Sequence, residues 1–160
     1  MIKKNEIKTN NPTKQEYSIP DFIAMESCIG AVSMLASKST SHKHLFFSDL
    51  DWRFVPPIML KQFKVFRSEE NVPMAFVSYA KVTEEVEKRI LNGDLRLAPK
   101  DWNSGDRLWI IDVIDPLEKG TNAILKQLAE KDFKDQNAKI LKHKKDGKGV
   151  EGMLLSSLVS

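Results

Sequence analysis

A chain of 160 residues with 41% hydrophobic residues is long enough for one packed core and too short for two ordinary domains. The net charge is a modest +3, and a single cysteine, Cys28, excludes an internal disulfide and any multi-cysteine zinc site. No run of about 18 apolar residues is present to span a bilayer, and the opening Met1-Ile2-Lys3-Lys4-Asn5-Glu6 lacks the apolar stretch of a secretion signal, so a cytoplasmic protein is expected.

Residues 1–17 are polar and have almost nothing to bury, which predicts a disordered lead ahead of a domain over 18–160. From Asp21 the apolar positions Phe22, Met25, Ile29, Val32, Leu35 and Ala36 recur at three- and four-residue steps. That stripe predicts a helix ending near 37–39, with Cys28 on its packed side and His42 just past its C-terminus. Between about 49 and 60 the pattern is mixed and Pro56-Pro57 interrupts any continuous helix, so a short helix or turn is expected. Strands follow at 63–67 and 74–82, and the polar connection 68–71 between them argues an antiparallel hairpin. A helix over about 83–92 is closed by Gly93, a third strand runs over 108–114 until Pro116, a helix covers about 120–131, and a last short strand lies at 138–141. Mixed helices and antiparallel strands on one sheet give an α+β domain, a mostly antiparallel central sheet flanked by helices.

Lys139, Lys142, Lys144, Lys145 and Lys148 crowd one late segment. They read either as a solvated face or as an electrostatic dock for an acidic partner; nucleic acid fits less well, since no aromatic or glycine-rich recognition pattern accompanies them.

The densest chemistry lies in Asp101-Trp102-Asn103-Ser104-Gly105-Asp106-Arg107-Leu108-Trp109-Ile110-Ile111-Asp112, where a polar turn leads onto an apolar strand carrying a carboxylate. Flanked by Trp109, Ile111, Val113 and Ile114, an ionised Asp112 loses water and needs a partner. A histidine is the natural one, although a turn cap or a pair with Arg107 stays open, and the chain has three histidines, His42, His44 and His143. His42 and His44 have no nearby cysteine or second cluster to complete a metal site, so no metal is expected. Ser39, three residues before His42, offers a helix-end hydrogen bond or a substrate contact, and no Gly-x-Ser-x-Gly elbow surrounds it. Gly105 shapes the turn ahead of the strand, where a Cβ would hinder. Trp102 and Trp109 read as core anchors, with walling a groove beside Phe54 or Phe76 as the alternative.

The Asp-Trp-x-Ser-Gly-Asp-Arg-x-Trp-x-Ile-Asp pattern over 101–112 resembles the signature of the RTX toxin-activating lysine acyltransferases. Ile29-Gly30-Ala31-Val32 followed by Ser39-Thr40-Ser41-His42-Lys43 is similar to that family's first helix and the histidine beyond it. Val55-Pro56-Pro57-Ile58 and Val72-Pro73-Met74-Ala75-Phe76-Val77-Ser78-Tyr79-Ala80 fall in the same order, and the likeness covers residues 22–140.

The resemblance implies a GNAT-like fold and a protein-lysine acyltransferase with no bound cofactor. Such an enzyme moves a fatty acyl group from acyl carrier protein to internal lysines of an RTX protoxin, and its family forms homodimers. His42 would be the general base or a transient nucleophile, and Asp112 the carboxylate that holds its ring. An imidazole titrating near ~6.5 is available to take the proton of a lysine ammonium, whose free pKa is near ~10.4, once attack begins. Ser39 and Gly105 would position substrate or site. Arg53 stands where the family commonly has an asparagine, a candidate for positioning the substrate or the oxyanion. No Arg/Gln-x-x-Gly-x-Gly/Ala turn for a coenzyme A pyrophosphate is present, and the lysines over 139–148 suit an acidic carrier protein. The chain ends Gly152-Met153-Leu154-Leu155-Ser156-Ser157-Leu158-Val159-Ser160 where family members continue through a Phe-His-Gly-Gly-type segment, so part of the cleft or dimer surface is expected to be missing. Two other readings stand beside this one: a catalytically weakened homologue that only binds acyl carrier protein or a toxin partner, and an unrelated basic binding module.

Overall fold

The computed structural model describes residues 19–159, so the polar lead expected at 1–17 lies outside the described residues. Helix α1 (Ile19–Lys38) is followed by two short helices, α2 (Asp49–Arg53) and α3 (Val55–Met59). Pro56 and Pro57 are tolerated in α3 because they lie in its first turn, which has no use for the N–H that proline lacks. Strands β1 (Phe63–Arg67) and β2 (Pro73–Val82) form the expected antiparallel hairpin. Helix α4 (Glu84–Leu91) starts where the Thr83 hydroxyl accepts from the Val86 amide, and the chain leaves it through Gly93 at φ +87°. After β3 (Arg107–Ile114), α5 (Thr121–Gln127) passes into a single π-helical turn over Leu128–Asp132, which together fill the helix expected at 120–131. Strand β4 (Lys139–His143) then pairs with β5 (Val150–Leu154), and a 3-10 turn follows over Leu155–Leu158. The sequence reading held no element for β5.

The five strands form one sheet in the order β1-β2-β3-β4-β5, antiparallel except for the parallel pair β3 and β4, which α5 connects. Helices cover both faces, an arrangement consistent with a GNAT-like fold. On one face Val77, Leu108 and Ile110 pack against Leu125, Leu128 and Phe133 of the α5 region. On the other, Ala80, Val82 and Trp109 meet Val86 and Ile90 of α4, while Phe76 and Ile114 meet Val32, Leu35 and Ala36 of α1.

One irregularity decides where chemistry can occur. Tyr79 pairs with Ile110 but Ser78 pairs with Asp112, so Ile111 is an extra residue on β3. Such a bulge reverses the alternation of a strand. Before it, even-numbered residues of β3 face α5; after it, Val113 packs on that side and Ile114 lies beneath α1. Asp112, opposite Ser78 and in phase with Ile114, is thereby turned toward α1 and the short helices. Unbroken alternation would have placed it with Ile110 against α5.

The turn ahead of β3 is tucked onto the end of β2 by the Ser104 and Gly105 amides, which donate to the Lys81 carbonyl at 2.8 and 3.1 Å. A Cβ at Gly105 would lie 2.5 Å from the Val82 carbonyl oxygen and 2.7 Å from the Thr83 nitrogen, both backbone atoms that cannot swing aside. Gly105→Ala is therefore expected to cost about 1–3 kcal/mol or more, read as a lower denaturant midpoint at unchanged slope.

Candidate active site

His42 is presented by a compact turn that closes α1. The Ser39 amide donates to the Ala36 carbonyl, and the His42 and Lys43 amides both donate to the Ser39 carbonyl at 3.1 and 2.9 Å. Ser39 and His42, three apart on one turn, thus face the same way: Ser39 Oγ lies 2.8 Å from His42 Nδ1, and both residues are buried. The bulge brings Asp112 from the sheet below, its Oδ1 3.2 Å from His42 Nε2. Arg53, the last residue of α2, completes the group with Nε 2.6 Å from Asp112 Oδ2 and Nη2 2.6 Å from Oδ1. Residues from three separate segments form one chain: Ser39 and His42 from the turn after α1, Asp112 from β3 and Arg53 from α2.

Burial alone would push the Asp112 carboxyl up, but hydrogen bonds from Arg53 and His42 outweigh it and hold the group below the usual carboxylate range. Desolvation likewise disfavours the Arg53 cation, and its contact with Asp112 more than reverses that. An ionised Asp112 offers acceptors only, so His42 Nε2 carries the hydrogen and donates to it. The neutral ring then has its lone pair on Nδ1, where the Ser39 hydroxyl donates. The basic nitrogen therefore faces Ser39, not the carboxylate.

His42 also forms part of the wall of a cleft of about 170 Å³ lined by Ala36, Leu45, Leu50 and Phe54. At its lip Phe46 and Phe47 are 77% and 89% exposed, an apolar surface that ordinary folding leaves uncovered only at a cost. Phe54 meets the buried Phe76 edge to face, with centroids 5.8 Å apart.

Two alternatives left open by the sequence, Arg107 as partner of Asp112 and the tryptophans as groove walls, are closed by the geometry. Arg107 does not pair with Asp112; it turns to Glu87 at 2.8 Å and Glu84 at 3.4 Å. Trp102 and Trp109 do not wall the cleft but lie fully buried under α4. Gly105 sits before β3, seven residues from Asp112, where its part is the close backbone approach already described. His44 and His143 are exposed. No group of three or more His, Cys, Asp or Glu among the described residues is arranged to hold a metal ion.

Sequence reasoning missed Ser78. It is fully buried opposite Asp112, and its hydroxyl has no hydrogen-bond partner among the described residues. Its only sequence signal is a polar residue between Val77 and Tyr79 in an apolar strand. An unsatisfied buried hydroxyl costs about 1–3 kcal/mol, so Ser78→Ala is expected to raise the melting temperature in a calorimetric scan, by about 2–4 °C for each kcal/mol recovered.

The family model of the RTX toxin acyltransferases matches residues 23–153. Over 100 residues the chain is 29% identical to the lysine-acyltransferase RtxC of Vibrio cholerae serotype O1, covering 62% of this chain and 65% of that protein. It is 35% identical over 108 residues to a protein-lysine myristoyltransferase HlyC of Escherichia coli, covering 68% and 60%. The leukotoxin-activating lysine-acyltransferase LtxC of Aggregatibacter actinomycetemcomitans is 35% identical over 105 residues, covering 66% and 61%. The chain spans about three fifths of the length of these curated relatives.

Proposed function

Because this chain belongs to the RTX toxin acyltransferase family, we propose that it transfers a fatty acyl group from acyl carrier protein to the ε-amine of internal lysines in an RTX protoxin. The observation that carries this reading is the buried chain of Ser39, His42 and Asp112 opening onto an apolar cleft edged by Phe46 and Phe47. The cleft would take the acyl chain, and the ring would take the proton.

In this reading the lysine amine attacks the thioester carbonyl, a C–N bond forms, the C–S bond breaks, and the carrier thiol leaves. Nδ1 of His42 receives the proton of the ammonium adduct, either through the Ser39 hydroxyl or after that hydroxyl rotates away, and returns it to the departing carrier sulfur, which leaves as the thiol. Asp112 keeps Nε2 protonated and stabilises the imidazolium without itself being protonated. The acidic donor would approach the turn between β4 and β5. On the adjoining β4, Lys139 and Lys142 are engaged by Glu87 and Glu151, which leaves Lys144, Lys145 and Lys148 in the turn as the cations offered to it. Among the described residues no helix is long and apolar enough to cross a membrane.

A second reading, a homologue that binds carrier protein or toxin without transferring, draws on Arg53, which occupies both oxygens of the carboxylate. One assay separates the two: intact-mass analysis of a candidate protoxin after incubation with acyl-loaded carrier protein. A fatty acyl mass increase supports the transferase; binding of carrier protein with no increase for any chain length supports the second reading.

A further inference from the structure

The fork of Arg53 cannot serve substrate while it is engaged as observed. Two of its nitrogens meet the two oxygens of Asp112 at 2.6 Å each, and its guanidinium lies 5.8 and 5.9 Å from the ring centroids of Phe54 and Trp52. Trp52 is itself pinned, its Nε1 donating to Asp49 at 3.0 Å and the Arg96 guanidinium lying 5.0 Å from its ring centroid. Asp112 is held on the sheet by the bulge but is free to rotate about its last torsion, and only a planar, two-point donor fixes that plane. The plane matters because Oδ1 is also the acceptor for His42 Nε2 at 3.2 Å.

Resting on the transferase reading above, we propose that Arg53 is a positioning residue that acts through Asp112: it locks the carboxylate plane and keeps it an anion, and so dictates that His42 carries its hydrogen on Nε2 and its lone pair on Nδ1. The charged and titratable groups that face Asp112 are Arg53 from α2 and His42 from the turn after α1; Ser78 lies opposite it on β2 as a neutral hydroxyl, and Asp49 faces Arg53. With Arg53 gone, burial would act on the carboxylate against His42 alone. A carboxylate that takes up a proton becomes a donor, and the ring is then free to adopt the other tautomer.

The test uses the full chain without substrate, so it stands or falls separately from acyl transfer. The Asp112 carboxyl is titrated by ¹³C NMR, and the His42 tautomer is read from its two ¹⁵N shifts, in the wild type, Arg53→Gln and Arg53→Lys. Arg53→Gln is expected to raise the Asp112 midpoint by about one unit or more and to give a mixture of tautomers. Arg53→Lys, which keeps the charge but not the fork, is expected to hold the midpoint closer to wild type while losing part of the tautomer preference; it also carries the test if Arg53→Gln fails to fold. In the transfer assay Arg53→Gln is expected to lose about 100-fold, mostly in kcat. An unchanged Asp112 midpoint and an unchanged Nε2–H tautomer in folded Arg53→Gln would overturn the proposal, and a loss of transfer beside unchanged spectra would make Arg53 a substrate contact instead.

Discussion

Under the proposed transferase function, Asp112→Asn is expected to lower acyl transfer by about three to four orders of magnitude while leaving the protein folded, the size of effect seen when the carboxylate of a histidine-based site is neutralised in place. Asparagine is the informative replacement. Alanine at 112 would leave the Arg53 guanidinium without its partner in a mostly buried position, mixing a stability loss of about 3–5 kcal/mol into the kinetic result. Asparagine keeps the volume and one acceptor oxygen for Arg53, while its NH2 donates where the other carboxylate oxygen accepted. Where that NH2 lies toward His42, Nε2 accepts, its hydrogen moves to Nδ1, and the lone pair that faced Ser39 is lost; in either orientation the asparagine carries no charge to stabilise the imidazolium. His42→Ala is expected to match this loss, and the double variant to fall no further, because the two side chains act as one unit. Ser39→Ala, which removes one donor but leaves the tautomer intact, is expected to lose only about 10-fold to 100-fold, within the range of one positioned proton-transfer group. Single-turnover transfer to the protoxin, with a melting curve for each variant, checks the series; Asp112→Asn within tenfold of wild type would remove Asp112 from the mechanism.

The elements legible in the sequence were those whose apolar periodicity is strong or whose ends are chemically marked. The stripe from Phe22 to Ala36 gave α1, the 68–71 connection gave the β1-β2 hairpin, and Thr83 and Gly93 bracketed α4. Strand β5 carried no comparable mark. Val150-Glu151-Gly152-Met153-Leu154 does not alternate by burial, and Gly152 belongs there for a tertiary reason: a Cβ would come within 2.9 Å of the Trp109 ring. A contact with a residue 43 positions earlier has no local signature. The parallel pairing of β3 and β4 was equally silent, since it follows from the crossover through α5.

For the site, the family resemblance singled out His42, Asp112 and Ser39, while residue chemistry by itself showed only that a carboxylate in an apolar strand needs a partner. The side of the sheet was not legible. Leu108, Ile110, Asp112 and Ile114 read as one face of a regular strand, and only the extra residue Ile111 separates the last two from the first two. The contact of Arg53 with Asp112 was not legible, since nothing in the order of residues shows that the end of α2 lies over β3. The order of nitrogens on His42, with Nδ1 toward Ser39, likewise depends on the turn closing α1.

Trp109→Ala is expected to be the most destabilising single change in the chain, at about 3–5 kcal/mol against a total of about 5–15 kcal/mol for an ordinary domain. The side chain is fully buried between β2 and α4, so its removal forfeits transfer energy and leaves a cavity whose wall at Gly152 has no side chain to fill it. It also strips a hydrogen bond of 2.8 Å from Glu87, a buried carboxylate that is held as well by Lys139 and Arg107, each at 2.8 Å. Trp109→Phe separates the parts, keeping most of the packing and losing the indole donor, and is expected to cost about 1–3 kcal/mol. Glu87→Gln is expected to fall in the same range, since its two cations reach water while the indole N–H keeps an acceptor. Burial pushes the Glu87 carboxyl up, but Lys139 and Trp109 outweigh it and hold it below the ordinary value. Its stabilising effect is therefore complete above the unfolded pKa, near ~4.3, and disappears as pH falls through the lower folded value. Urea midpoints measured from pH 7 to pH 3 are expected to converge for wild type and Glu87→Gln at the acid end; a constant gap across that range would show that Glu87 stabilises β3 through packing and not through its charge.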